Sequence, residues 1–223
     1  MQIEPYLRQI ENTFVNLWLI VEPDGLTLVD TGLARSGPKK VLAEIAAIGR
    51  QPADLKRILI THTDPDHTGG AAELKRLTGA RLYARGVEAD AMRAGTTSRK
   101  PANAAMRAIL GALGALVMPT PAVIANETLV DGQILPILGG LEVLATPGHT
   151  PGHTSFFSAS ERLLIAGDSF RATGGRLSFD PAPVHWNYTI GLTSCRKQAS
   201  LGAVLVCCGH GPALRNPEFP RAG

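Results

Sequence analysis

The sequence predicts an α/β fold on three observations. Short branched-aliphatic runs have strand length, apolar residues recur at helical spacing between them, and turn residues punctuate both. Glycine (24) and proline (16) are plentiful enough to close many short elements. The 223 residues are 44% hydrophobic and 18% charged, a composition that can bury a core within one domain, taken as 1–223.

In chain order, Phe14 to Val21 and Leu26 to Val29 flank Pro23-Asp24-Gly25 and read as a hairpin ending in Asp30-Thr31-Gly32. Val41, Leu42, Ile45 and Ile48 give Pro38 to Ile48 a helical period that Gly49 stops. Arg57 to Ile60 is a buried strand leading straight into His62-Thr63-Asp64-Pro65-Asp66-His67. Gly70 to Leu77 reads as a helix closed by Gly79, and Arg81 to Ala84 as the next strand. From 88 to 119 the character changes. Met106, Ile109, Leu110, Leu113 and Val117 recur at helical spacing, so a helical insertion is expected that covers the sheet, walls a pocket, or does both. Strands follow at Gln133 to Leu138, Leu141 to Ala145, Ser155 to Ser158 and Arg162 to Ala166. The last, Ala203 to Cys207, runs into Gly209-His210-Gly211. Hairpins interleaved with helices imply mixed sheets, and no solenoid repeat or low-complexity tract interrupts them.

Charge and cysteine usage narrow the partners. The net charge of +3 is spread along the chain, and Lys39-Lys40 and Arg99-Lys100 are isolated pairs read as solvated surface. That is not the basic stripe of a nucleic-acid binder. No apolar run approaches the roughly 20 residues of a membrane span, and the N-terminus lacks a signal-peptide pattern. Three cysteines, two of them adjacent, do not make a disulfide framework, so a cytoplasmic setting is expected with Cys195, Cys207 and Cys208 as buried small hydrophobes. Neither nucleic acid nor a membrane is an expected partner, and the oligomeric state is not written in the sequence.

The chemistry lies in loops that follow the predicted strands. His62 and His67 flank Asp64 and Asp66; His149 and His153 lie in Thr146-Pro147-Gly148-His149-Thr150-Pro151-Gly152-His153; Asp168 stands in Gly167-Asp168-Ser169; His210 sits between two glycines. Strand-end loops let a rigid scaffold aim several side chains at one point. Imidazole and carboxylate together suit zinc, iron or manganese, and there are donors enough for two ions. Two ions about 3.5–4 Å apart can share a hydroxide and place it against an electrophile.

These motifs resemble those of the metallo-β-lactamase superfamily. Its hallmark His-x-His-x-Asp-His followed by Gly-Gly is matched by His62 to His67 with Gly69-Gly70, and Pro147-Gly148-His149-Thr150, Gly167-Asp168-Ser169 and Gly209-His210-Gly211 follow in order. Asp30-Thr31-Gly32 matches an early motif that buttresses the metal loop. The resemblance runs from about residue 14 to 214. It implies an αββα sandwich of two mixed β-sheets flanked by helices, with the metals in a cleft at one edge. By the same resemblance His62 and His149 hold a first metal, with Asp64 in the slot normally filled by histidine. Asp66, His67 and His210 hold a second, and Asp168 bridges. Asp66 and Asp168 are then the catalytic carboxylates, and His153 is a supporting or packing residue.

Asp64 is the departure from the family pattern. A carboxylate is a shorter arm than an imidazole and adds a negative charge, which lowers the Lewis acidity of the ions and tilts the site towards iron or manganese. Pro65 holds Asp64 extended, which helps the shorter arm reach. Either Asp64 ligates the first metal, or it falls short and the second position works alone, or the site is weakly filled. Glutamate fills the same slot in flavodiiron proteins, whose metals are iron.

The resemblance implies a metal-dependent hydrolase acting on a lactone, ester or thioester through a metal-bridging hydroxide, with two divalent ions, zinc first and iron or manganese as alternatives. The short stretch after His210 disfavours glyoxalase II-like activity, since members with that activity carry a further helical domain there that binds glutathione. Trp186 and Tyr188 are candidates for an aromatic wall, and His185 beside them reads as a surface residue. Two other classes remain: a di-iron redox protein for oxygen or nitric oxide chemistry, and a binding protein with a degraded site.

Overall fold

The computed structural model describes residues 1–99 and 118–220. A seven-stranded sheet is formed, in spatial order, by β1 (Gln2–Glu4), β2 (Leu7–Asn12), β3 (Val15–Glu22), β4 (Gly25–Val29), β5 (Leu55–Leu59), β6 (Arg81–Arg85) and β7 (Glu127–Leu129). β1 to β4 pair antiparallel and β4 to β7 parallel. Helices α1 (Gly37–Ala47), α2 (Pro65–Thr68), α3 (Ala71–Thr78) and α4 (Gly86–Ala94) make the crossovers that parallel strands require. The second sheet comprises β8 (Ile134–Leu135), β9 (Leu141–Ala145), β10 (Thr154–Ser158), β11 (Leu163–Gly167), β14 (Leu205–Cys208) and β15 (Leu214–Arg215), with only β11 and β14 parallel. The hairpin β12 (Arg171–Thr173) and β13 (Arg176–Ser178) and helix α5 (Tyr188–Ala199) complete this half.

Strand periodicity decides the layering. Along β3, Trp18 and Ile20 point towards the second sheet, while Leu17 and Leu19 point towards the helices. The inner core joins Trp18, Val29 and Leu59 of the first sheet to Val143, Phe156 and Ile165 of the second. An outer core packs Val41, Ile45, Leu74 and Met92 of the helices on the first sheet. A third packs Cys195 of α5 and Phe170 on the second. Three apolar layers between four structural layers make the αββα sandwich, with both sheets mixed as expected.

The hairpin at Pro23-Asp24 and helices α1 and α3 fall within a residue or two of their predicted bounds. The strand expected over Gln133 to Leu138 is shorter. Only Ile134–Leu135 pairs, because Pro136 has no N–H to continue the ladder and the Ile137 N–H turns back to the Leu135 carbonyl at 2.8 Å. The first residues of the expected insertion form α4; the apolar series Met106 to Val117 lies outside the described residues. All three cysteines are free and buried, and burial pushes the Cys195 thiol up to about 12, so they behave as small hydrophobes. Among the described residues no helix is long and apolar enough to cross a membrane.

Candidate metal centre

The loops leaving β5, β9, β11 and β14 meet at one edge of the sandwich. After β5, Asp64 is extended (φ −67°, ψ 146°), as the residue before a proline must be, and Pro65 then starts α2. The abrupt change from extended chain to helix turns His62, Asp64, Asp66 and His67 towards one point. Asp168 follows Gly167, whose left-handed backbone (φ 55°) ends β11. His210 follows Gly209, where a Cβ would meet Asp168 Oδ1 at 2.1 Å.

Three overlapping donor sets result: His62, Asp64 and His149; His62, His67 and Asp168; and Asp66, His67 and His210. His149 Nε2 is 3.2 Å and His62 Nε2 3.8 Å from Asp64 Oδ2. His67 Nε2 and His210 Nε2 each stand 3.7 Å from Asp66 Oδ2. Asp168 lies between the sets, 3.4 Å from His67 Nε2, 3.6 Å from His149 Nε2 and 3.1 Å from His210 Nε2. Two donors each about 2.1 Å from a tetrahedral ion are roughly 3.4 Å apart, so these spacings suit shared ions. His62 Nε2, His67 Nε2 and Asp168 Oδ1 are buried with no hydrogen-bond partner. Buried polar atoms are rarely left so. The donor set therefore fits divalent metal.

The other ring nitrogens explain the aim of three of the four histidines. His67 Nδ1 donates to Asp30 Oδ2 at 2.8 Å, and His210 Nδ1 donates to the Phe14 carbonyl at 2.7 Å. Thr61 Oγ1 donates to Asp30 Oδ2, which leaves it to accept from His62 Nδ1 at 2.9 Å. Each contact fixes a tautomer and leaves Nε2 facing the cluster. Asp30, at φ 61°, thus supports both His62 and His67, as the buttress expectation has it. His149 is the exception, with Nδ1 buried and unpartnered.

The electrostatics follow from crowding. Burial opposes charge on His67, but Asp168, Asp66 and Asp30 outweigh it and hold its pKa well above the usual range. Burial, with His67 beside it, drives His62 well below. Asp168 is buried too, yet His67 and the His210 hydrogen bond hold its carboxyl well below the usual range. Asp64 is lowered despite burial, by His149 and Arg99.

His153 lies in the core of this region but is not a donor facing the cluster. Its Nε2 accepts the Asp168 backbone N–H at 3.0 Å, so Nδ1 carries the proton and reaches Thr146 Oγ1 at 2.9 Å. With both nitrogens engaged it is a support for Asp168; burial, with His149 near, lowers its pKa to about 3.

Three features depart from the sequence reading or lie outside it. Arg99 is not solvated surface: its guanidinium grips Asp64 Oδ2 and donates to the Val184 carbonyl at 2.6 Å. The segment turns inwards because Ser98 is anchored, its N–H donating to Thr63 Oγ1 at 2.8 Å and its hydroxyl to Glu88 Oε1 at 2.7 Å. Second, Glu88 is fully buried and accepts from Thr63, Ser98, Thr150 and Gly152, tying three site segments together. A lone glutamate in the first turn of a helix reads as a solvated residue suited to the helix dipole, so nothing in the sequence marked it. Third, His185 is half-buried rather than on the surface. Its ring stacks on Phe179 at 4.3 Å and meets His149 edge-on at 5.9 Å. Tyr188 joins that cluster through Phe179, whereas Trp186 is exposed.

An open cleft of about 430 Å³ lies over the donors, with Phe14 and Val184 as apolar wall and Arg99, Arg171 and Asp180 as polar rim. Arg171 Nε donates to both Asp180 carboxylate oxygens, at 3.1 and 3.2 Å.

Comparison with known proteins agrees with this fold. The model of the metallo-beta-lactamase superfamily matches residues 10–210. A hydroxyacylglutathione hydrolase of Ectopseudomonas mendocina (strain ymp) is 32% identical over 211 residues, 92% of this chain and 65% of that protein. The chain thus spans just under two thirds of the length of that relative. YobT of Bacillus subtilis (strain 168) is 28% identical over 92% of this chain and 86% of its own length. Among solved structures, a metallo-beta-lactamase family protein from Thermus thermophilus superposes with a TM-score of 0.74 at 25% identity, covering 96% of this chain and 76% of that one. A Cronobacter sakazakii metallo-beta-lactamase gives 0.74 at 26% identity, over 95% and 80%. The chain belongs to the metallo-beta-lactamase superfamily, as one of its enzymes.

Proposed function

We propose that this enzyme hydrolyses a lactone, ester or thioester at a centre of two divalent ions, zinc first and iron or manganese as alternatives. The observation that carries the reading is the set of buried, unpartnered donors, His62 Nε2, His67 Nε2 and Asp168 Oδ1, facing one another across a space that fits shared ions. His62, Asp64 and His149 would hold one ion, Asp66, His67 and His210 the other, with Asp168 between. Ions held there supply Lewis acidity, activating water and polarising the scissile carbonyl.

The remaining work falls to side chains. Asp66 lines the cleft beside His67 and His210, where its carboxylate can take a proton from the attacking water and return it to the leaving oxygen or sulfur. Asp168 and Asp66 are therefore the carboxylates on which turnover depends. Phe14, half exposed at the cleft mouth, offers an apolar surface to an acyl group. A relative named as a hydroxyacylglutathione hydrolase supports including thioesters, since an acylglutathione is one. The three free, buried cysteines suit a reducing compartment, and we place the enzyme in the cytoplasm with a small-molecule substrate.

The test is turnover by the full chain, loaded with zinc or manganese, against lactones, esters and thioesters. Activity on at least one class is expected, falling by about a thousandfold in Asp168→Ala. Unchanged turnover in that variant, or none on any class with two ions bound, contradicts the proposal.

A further inference from the structure

We infer that Thr97 and Arg99 form a clamp that makes Asp64 competent as a metal-ligating residue, with Arg99 as its positioning residue and counter-charge. This rests on the two-ion reading of the centre and deepens it.

The clamp acts on both oxygens of Asp64. Thr97 Oγ1 donates to Oδ1 at 2.8 Å, which fixes the plane of the carboxylate. Arg99 Nη2 donates to Oδ2, the oxygen that also faces His149 Nε2 at 3.2 Å and His62 Nε2 at 3.8 Å. A carboxylate oxygen has two lone pairs, so one can serve the guanidinium while the other points between the imidazoles. An aspartate in a histidine slot has a shorter arm and freer rotation; the two donors remove the rotation.

Charge gives the second argument. Asp64, Asp66 and Asp168 place three carboxylates around the centre. The superfamily pattern, with histidine in the place of Asp64, has two. Arg99 returns one positive charge at the very residue that added the negative one.

The clamp is also built from behind. Ser98, between the two clamp residues, is pinned through its N–H to Thr63 and through its hydroxyl to Glu88, and Thr63 itself donates to Glu88. Thr63 stands between His62 and Asp64, so clamp and ligand loop share one anchor. Arg99 Nη1 is held by the Val184 carbonyl at 2.6 Å, which leaves the guanidinium little freedom.

Hydrogen-bond partners of metal ligands commonly set metal affinity by 10–100-fold. The experiment strips the full chain of metal and titrates Zn²⁺ against a chromophoric chelator in wild type, Arg99→Met, Arg99→Lys and Asp64→Asn. Asp64→Asn identifies which of two binding steps belongs to Asp64. Arg99→Met is expected to weaken that same step by about 10–100-fold and leave the other within about threefold, with Arg99→Lys recovering part of the loss. The untouched step reports that the variant is folded. An Arg99→Met chain whose Asp64-dependent step is unchanged or tighter overturns the clamp alone. A wild type that binds a single ion overturns the two-ion reading and the clamp with it.

Discussion

At the residue scale the centre depends on how few conformations its parts can adopt. Gly209 shows this most simply, because any Cβ there would lie 2.1 Å from Asp168 Oδ1 and 2.7 Å from His67 Cε1. Gly209→Ala is expected to displace Asp168 and weaken zinc binding by at least about tenfold, the scale found when a ligand loses its setting. Wild-type affinity in that variant, by the same chelator titration, would contradict the placement of Asp168. His67 supplies a test through protons. Although burial opposes its charge, Asp168, Asp66 and Asp30 raise its pKa well above the usual range, so the metal-free protein carries a proton there at neutral pH. Metal needs the neutral ring, so binding releases that proton, and affinity rises with pH until the raised pKa is passed. Calorimetry at pH 7 in buffers of different ionisation enthalpy should read release of about one proton or more. No release would contradict the account of a His67 that its carboxylate neighbours keep charged until metal displaces the proton.

At the element scale, Glu88 decides how segments from separate parts of the chain keep their register. It sits on α4, yet it accepts hydrogen bonds from the loop after β5, the segment around Ser98 and the loop between β9 and β10. A buried carboxylate is tolerated because four donors satisfy it, and each donor left alone costs roughly 1–3 kcal/mol. Glu88→Leu should therefore lower the stability of the metal-free chain by about 3 kcal/mol or more in a urea melt. A loss below about 1 kcal/mol would show that the loops hold themselves. Helix α5 shows why some elements are not legible in sequence. Its buried face is Gly191, Ser194, Cys195 and Gln198, so no apolar period announces it, although Asn187 caps it by accepting the Ile190 N–H at 3.0 Å. Strand β2 escapes notice for a similar reason. Its Gln9 and Asn12 are buried polar residues bonded to Asn16 and Ser36.

At the scale of the whole molecule, the two halves of the sandwich contribute to one centre. His62, Asp64, Asp66 and His67 come from the first sheet's loop, and His149, Asp168 and His210 from loops of the second. Ions held there would join the open edge of the two sheets. At a hundredfold excess over its dissociation constant an ion stabilises the fold by about 2.7 kcal/mol, which in a chain of this size corresponds to a rise in Tm of roughly 5–10 °C. Chelation should lower Tm by at least that much, and an unchanged Tm would contradict binding between the sheets. The sequence made this long-range part legible: the His62 to His67 run and its matches at His149, Asp168 and His210 lie far apart in the chain and meet in space. What it could not display were contacts without a motif. Arg99 reads as a surface cation until Ser98 is seen anchored, and Glu88 as a solvated helix residue until four donors surround it.

The most direct test of the central claim is the metal content of the full chain purified without added metal, measured by mass spectrometry of the elements. Two ions per chain are predicted, zinc first and manganese or iron as alternatives. A chain holding one ion or none would contradict the two-ion hydrolase.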